Sequence, residues 1–324
     1  MTDRLAFAIE NGNLEMIKTL IADGVDVCKQ SSLARDSYLM IAFNHFYRKN
    51  IKFLIQLFNI LLSTNRSKEL VNLKNIYENT ILYYVSKEGR KEIVEILLRH
   101  GADINARNAF GYTALQMALK SWENSFETAH FLLSQNANPN IYGGKIEESP
   151  LWYLSDCCEL PEKHELMRMM LRRGANPNLQ TIKDDYPLLF SVIKSNDIKT
   201  TEILLRAGAN LNIKGKRRLF LLLNGIIYRK HNEILSLLIQ FGIDVNMLIQ
   251  EYHSLIYYAI CEKNLPAIKI LLDGGAKIDD ISSIDGDSLI HAIFKNVSWY
   301  YDDDYKNCFK YISDLQLEYL RSLR

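Results

Sequence analysis

Apolar residues recur along this chain at helical spacing, in pairs of short stripes. Leu5, Ala8 and Ile9 form one stripe; Leu14, Ile17, Leu20 and Ile21 form the next. Spacing of i, i+3, i+4 puts such residues on one face of a helix, so the opening predicts two amphipathic helices back to back. The second helix of each pair ends in a recurrent phrase. It reads LLRHGADIN from Leu97, LLSQNANPN from Leu132, MLRRGANPN from Met170, LLRAGANLN from Leu204, LIQFGIDVN from Leu238 and LLDGGAKID from Leu271, with a fainter LIADGVDV from Leu20. The anchor positions Gly101, Asn136, Gly174, Gly208, Gly242 and Gly275 lie 33 to 38 residues apart. A period on that scale marks stacked supersecondary units.

Two leucines close the amphipathic helix, and the glycine three residues on can take the left-handed conformation that stops it. Asn136 stands in for glycine once, and asparagine is the residue best able to do so. A polar excursion follows, then Thr or Ser leading into another apolar helix, most clearly at Thr113-Ala114-Leu115-Gln116-Met117-Ala118.

These residues resemble the ankyrin-repeat family. The unit from Asn108 to Asn140 follows the family pattern most closely, with Gly-Tyr-Thr-Ala-Leu at 111–115. Related openings stand at Ser37-Tyr38-Leu39, Thr80-Ile81-Leu82, Ser149-Pro150-Leu151, Tyr186-Pro187-Leu188 and Ser254-Leu255-Ile256. The family usually carries a hairpin-bonding histidine after that leucine. Here the place holds Met40, Tyr83, Gln116, Trp152, Leu189 and Tyr257, and only His291 fits. The resemblance implies an all-α ankyrin-repeat solenoid of about nine helix-turn-helix units with short β-hairpin-like loops, forming a single domain over 1–324.

The units run approximately 1–28, 29–75, 76–106, 107–141, 142–178, 179–212, 213–246, 247–279 and 280–324. The first lacks a preceding hairpin, as a terminal cap would. In the second, helices are expected at Tyr38–Phe46 and about Asn50–Ser63, with a long loop over Thr64–Asn75. In the third, Ile93, Val94, Leu97 and Leu98 should be buried, with Glu92 and Glu95 outside. An insertion at 156–161 lengthens the fifth, and Pro161 should begin its second helix. The last unit should pair a helix at Ser288–Phe294 with a long one running to the end, after a 299–304 loop. That last helix reads as a cap, or as one cut where a larger parent protein continues past Arg324.

Composition narrows the function classes. Hydrophobic residues make up 48% of 324, enough for a long core, and the formal net charge is +1. Such a balance gives no global field for nucleic acid or an anionic membrane. Five scattered cysteines without a CxxC suit a reducing compartment. The start has no signal-peptide core, and the most apolar run, Ile51 to Leu62, is interrupted by Lys52 and Gln56 and is too short to span a bilayer.

There is no Walker loop, GxGxxG, HExxH or paired metal motif. Gly143-Gly144-Lys145 lacks the strand a phosphate loop needs and reads as a hairpin tip. Cys157, Cys158 and His164 lack a fourth metal ligand, and adjacent cysteines splay apart. Leu160-Pro161-Glu162 and Met169-Met170-Leu171 resemble an F-box opening faintly, but they sit in phase as a repeat helix. The basic run Lys214-Gly215-Lys216-Arg217-Arg218 falls on a predicted hairpin tip and reads as a solvated turn, ahead of an acidic-partner contact and, behind that, a nuclear-import patch.

Together these readings predict a non-enzymatic adaptor without cofactor or metal, monomeric alone, that grips another protein through a groove of hairpin tips and first-helix faces. By resemblance, the groove residues are Tyr77 and Asn79, Phe110 and Tyr112, Ile146 and Glu148, Lys183 and Asp185, Lys216 and Arg217, and Gln250, Glu251 and His253. Phe110 and Tyr112 flank Gly111 and are the expected anchors, so that their alanine variants should lose the partner and keep the fold. Degenerate repeats rich in Ile, Lys, Asn and Tyr resemble the host-directed ankyrin proteins of poxviruses or intracellular bacteria, which implies a cytoplasmic location, in the host if an effector. The rival expectation is the substrate-recognition part of a larger enzyme or ubiquitin-ligase assembly. A third is self-association through the last helix, seen as a dimer that disappears when 305–324 are removed.

Overall fold

The computed structural model describes residues 3–121, 126–144, 149–155, 161–178, 187–211, 216–247 and 254–277, together with Asn307, Lys310, Tyr311, Ser313 and Asp314, which have helical backbone. The insertion at 156–160 and the rest of the ninth unit lie outside them. The helices fall into two compact bodies, Met1–Asp185 and Tyr186–Arg324.

The first body holds α1 (Arg4–Glu10), α2 (Leu14–Ala22), α3 (Tyr38–Phe46), α4 (Ile51–Leu62), α5 (Ser67–Val71), α6 (Ile81–Lys87), α7 (Lys91–Arg99), α8 (Ala114–Lys120), α9 (Phe126–Ser134), α10 (Pro150–Ser155) and α11 (Pro161–Arg172). First helices pack in one row, α1 on α3, α3 on α6, α6 on α8 and α8 on α10; second helices pack in another, α2 on α4, α7 on α9 and α9 on α11. The second body repeats the scheme with α12 (Leu188–Lys194), α13 (Ile198–Arg206), α14 (Lys216–Tyr228), α15 (Asn232–Gln240), α16 (Leu255–Cys261) and α17 (Leu265–Asp273). Among the described residues there is no strand, and one isolated bridge joins Gln30 and Ser37.

The cores follow the stripes read from the sequence, except that Leu14, Ile21 and Leu98 are only half-buried. Leu5, Ala8 and Ile9 are fully buried, as are Ile17, Ile93, Val94 and Leu97. The Thr64–Asn75 segment departs from its expectation as a loop. It contains α5, which buries Leu70 and Val71. Five residues are too few to show a helical period, so only the burial of that apolar pair reveals it.

Polar caps set where the helices begin. Asn13, Asn50, Asp197 and Asn264 accept N–H bonds from the first turns of α2, α4, α13 and α17. The recurrent phrase sets where they end. Gly101 has φ 82°, and the Asn136 that replaces glycine has φ 66°. Gly101 N donates to Leu98 O at 3.0 Å and Ala102 N to Leu97 O at 3.1 Å, a Schellman stop. Ala137, Ala175 and Ala209 are buried. The Asp or Asn after the alanine makes an Asx turn, as when Asp103 Oδ1 accepts from Asn105 N at 2.9 Å.

The final asparagine of the phrase reaches into the loop of the next unit. Asn140 Nδ2 donates to Gly174 O at 2.8 Å and its Oδ1 accepts from Asn176 N at 2.9 Å. Asn246 does the same to Gly275 O and Lys277 N, and Asn72, which caps α5 rather than closing a phrase, does so to Gly101 O and Asp103 N. One amide thus satisfies two backbone groups that a helix end would leave bare.

A second left-handed position lies between the helices of a unit, at Gly12, Gly89, Asn196, Lys230 and Lys263. At Lys230, φ is 58° and the side chain is exposed. Lys230→Gly should therefore stabilise the chain by about 0.5–1 kcal/mol, read as a higher urea midpoint, because glycine removes the Cβ clash.

Asp3 ties the first two units together. Its Oδ1 accepts from Leu5 N and Ala6 N at 3.2 Å, and the Tyr38 hydroxyl donates to its Oδ2 at 2.8 Å. Burial alone would raise the carboxyl pKa, but the Tyr38 O–H, the amides of Ala6 and Leu5 and the Lys29 ammonium together hold it below 3.8. A carboxylate held low contributes stability that is complete above its unfolded pKa and is lost as pH falls through the lower folded value. The melting-temperature gap between wild type and Asp3→Asn should accordingly narrow as pH drops from about 6 to about 3. A gap constant over that range would refute the linkage.

Candidate functional site

Three consecutive hairpins in the first body are built alike. Ser31 N donates to Asp36 O, Asn75 N to Asn79 O and Asn108 N to Tyr112 O, at 3.0–3.1 Å. Asn75 Oδ1 accepts from the N–H of Tyr77 and Asn79, and Asn108 Oδ1 from those of Phe110 and Tyr112, at 2.9–3.1 Å. These two buried asparagines shape the hairpins in place of the absent histidine. Gln116, in the histidine position, closes a capping box with Thr113 instead.

Three further ladders join one hairpin to the next. Through the backbone, Ala34 O accepts from Ile76 N, Tyr77 O from Ala109 N and Phe110 O from Gly144 N, at 2.8–3.0 Å. Inside, Asn75 Nδ2 donates to Asp36 Oδ1 and Asn108 Nδ2 to Asn79 Oδ1, while Asn75 and Asn79 share the Tyr84 hydroxyl. Outside, Gln30 Nε2 donates to Lys74 O, Lys74 Nζ to Arg107 O and Arg107 Nη2 to Tyr142 O, at 2.8–3.3 Å.

The edge so fixed is apolar at its tips. Of eight large hydrophobic side chains exposed among the described residues, four are here: Leu33, Ile76, Tyr77 and Phe110. Leu33 is 92% exposed and Phe110 55%. Clustered apolar exposure, unlike scattered single residues, marks an interaction surface. Behind the tips lies a half-buried tyrosine group. The Tyr112 ring lies against Gly144, and Lys120 Nζ sits 5.0 Å from its centroid. Burial first, then neighbouring Tyr84 and Tyr112, push the Tyr83 hydroxyl pKa up, so it stays neutral at pH 7. Exposed Arg35, Lys74, Arg107 and Lys120 lie along this edge, with Glu78 paired to Lys74 at 3.4 Å.

Of the groove residues expected from sequence, Tyr77 and Phe110 are exposed at the tips and Tyr112 is half-buried beside them. Asn79 departs from the expected exposed position: it is buried, and its amide bonds Tyr84 and Asn108 and so joins hairpins. Lys216 and Arg217 depart from theirs too. They lie in the first turn of α14, not on a hairpin tip. Other first helices start at a capping Ser37, Thr113 or Ser254. Counted back from the turn, this unit has Leu221 in that place, and a leucine cannot cap, so the helix runs on to Lys216. Ile146, Glu148, Lys183, Asp185, Gln250, Glu251 and His253 lie outside the described residues. Leu33 and Ile76 were not singled out from sequence. Their signal is an apolar residue within the polar excursion, where no helical stripe can use it.

Residues 39–142 match the family model for ankyrin repeats, in three copies. The architecture aligns with the crystal structure of an ankyrin repeat domain from Acinetobacter baumannii AYE, at TM-score 0.54 and 24% identity over 64% of this chain and 98% of that one. The chain has the ankyrin-repeat fold. Ankyrin repeats are protein–protein interaction modules, and the family is one of non-enzymatic scaffolds. Ankyrin repeat protein L371 of Acanthamoeba polyphaga mimivirus is 27% identical over 136 residues, which is 42% of this chain and 17% of that protein. Human transient receptor potential cation channel subfamily A member 1 is 24% identical over 228 residues, 67% of this chain and 20% of the channel. The chain thus spans a fifth or less of these relatives' lengths. No described helix is long and apolar enough to cross a membrane.

Proposed function

We propose that the first body is an adaptor that holds a partner protein on the hairpin edge, with Tyr77 and Phe110 as anchors, Leu33 and Ile76 extending the apolar contact, and Tyr112 at its margin. The observation that carries this reading is the gathering of exposed apolar side chains on a backbone edge whose own hydrogen bonds are already satisfied. Such an edge loses little freedom on binding, which favours affinity. A cytoplasmic, host-directed role is the second half of the proposal, supported by the likeness to a mimivirus ankyrin repeat protein. The alternative is a substrate-recognition part of a larger enzyme or ubiquitin-ligase assembly.

Photo-crosslinking from position 110 tests the edge against a crosslinker at Glu92, exposed on α7. A partner captured from 110, absent from 92 and lost with Tyr77→Ser supports the reading. Capture from 92 that ignores Tyr77→Ser would overturn it. Ligase subunits copurifying with the wild type would select the alternative.

A further inference from the structure

Helix α14 in the second body carries a glycine that its surroundings do not require. Gly225 lies in the helix interior, and a Cβ built there meets nothing within 4 Å. Glycine in a helix interior costs about 0.5–1 kcal/mol relative to alanine. Neither crowding nor a left-handed turn accounts for it. Counted back from the turn, other units place Tyr84, Met117 and Tyr258 at this point, so the missing side chain opens a gap between α12 and α14.

The gap is a half-open cleft of about 180 Å³ with Gly225 at its floor, exposed Leu221 along one side and the buried Ile193 and Ile226 behind it. An apolar cavity of about 150 Å³ already accepts a benzene ring. Leu221 and Tyr228, seven residues apart on one helix face, are 57% and 67% exposed beside it. The polar side chains lining it are Lys194, Arg229 and His231, and no carboxylate is among the lining residues. Arg229 Nη1 donates to Lys194 O at 3.4 Å, which fixes the guanidinium at the end of α12 and leaves its other N–H groups for a ligand. Burial, then the Arg229 charge, lowers the His231 pKa, so the positive charge at pH 7 comes from Lys194 and Arg229.

We propose that this cleft is a binding subsite for one leucine- or phenylalanine-sized side chain of an acidic peptide segment, the apolar group lying over Gly225 and an adjacent carboxylate meeting Arg229 and Lys194. The pairing follows from a ring-sized apolar space whose rim is cationic and whose lining holds no acid. It is independent of the hairpin edge, which lies in the other body.

The probe is the blocked tripeptide Asp-Phe-Asp, titrated into the full chain with labelled Ile and Leu methyls read by NMR. Saturable shifts are expected at Ile193, Leu221 and Ile226. Asp-Ala-Asp should bind at least about tenfold more weakly and Asn-Phe-Asn about threefold to tenfold more weakly. Gly225→Leu should fill the floor and weaken binding at least about tenfold while the melting temperature holds or rises. If that variant fails to fold, Leu221→Asn at the exposed wall decides, with the same loss expected. Phe110→Ser should leave the tripeptide untouched, so failure of the edge reading and failure of the cleft are told apart. Equal binding of the Asp and Asn peptides, undiminished binding to a folded Gly225→Leu or Leu221→Asn variant, or shifts confined to other methyls would overturn the proposal.

Discussion

Asn108→Ala is expected to lower stability by about 2–4 kcal/mol, a large fraction of what a domain has. The side chain is buried, accepts from the N–H of Phe110 and Tyr112, and donates to Asn79 Oδ1. Alanine leaves two amide donors and one amide oxygen without that partner, each at about 1–3 kcal/mol before relaxation. Asn108→Asp keeps the acceptor but not the donor, and should fall between. Urea unfolding checks the order. A loss below about 0.5 kcal/mol for alanine, the range of ordinary surface changes, would mean that the hairpin does not depend on its asparagine.

The Tyr77→Ser/Phe110→Ser double variant should reduce affinity for the captured partner at least about 100-fold, since two aromatic hot spots contribute about 2 kcal/mol or more each. Both side chains are more than half exposed, at 54% and 55%, so the fold should not suffer. Titration calorimetry beside a thermal melt separates the effects. Glu92→Ser is the control and should change affinity less than about twofold. An undiminished affinity in the double variant would remove these tips from the interface. We propose Tyr77 rather than Tyr112 as the second anchor, because Tyr112 is tucked against Gly144 with Lys120 over its ring.

The parts of the fold legible in sequence are those governed by local rules. Tyr38–Phe46 forms a helix over the expected residues, and Asn136 takes the left-handed conformation its place in the phrase predicts. Period, cap and stop are all written within a few residues of where they act. Partnerships across units are not. Nothing within 75–79 says that Asn79 turns inward, because its partners lie outside that stretch, at Tyr84 and 29 residues away at Asn108. The basic run joins α14 for the opposite reason: the signal is an absence, a leucine at 221 where other first helices have a cap. Leu33 and Ile76 escaped because a pattern of buried faces gives no weight to single apolar residues in a turn.

The asparagine that closes the phrase points forward along the chain, never back, in both two-bonded cases, Asn140 and Asn246, and Asn72 at the end of α5 does the same without a phrase around it. Removing the unit behind Asn140 would idle one amide that water can serve. Removing the unit that owns it would strip the Gly174 carbonyl and the Asn176 amide of their protein partner. Truncations should therefore be better tolerated from the far end than from the near one, and a module copied or deleted in evolution is safest cut just after its final asparagine. As the polypeptide emerges during synthesis, each finished unit already carries the hand that will catch its successor.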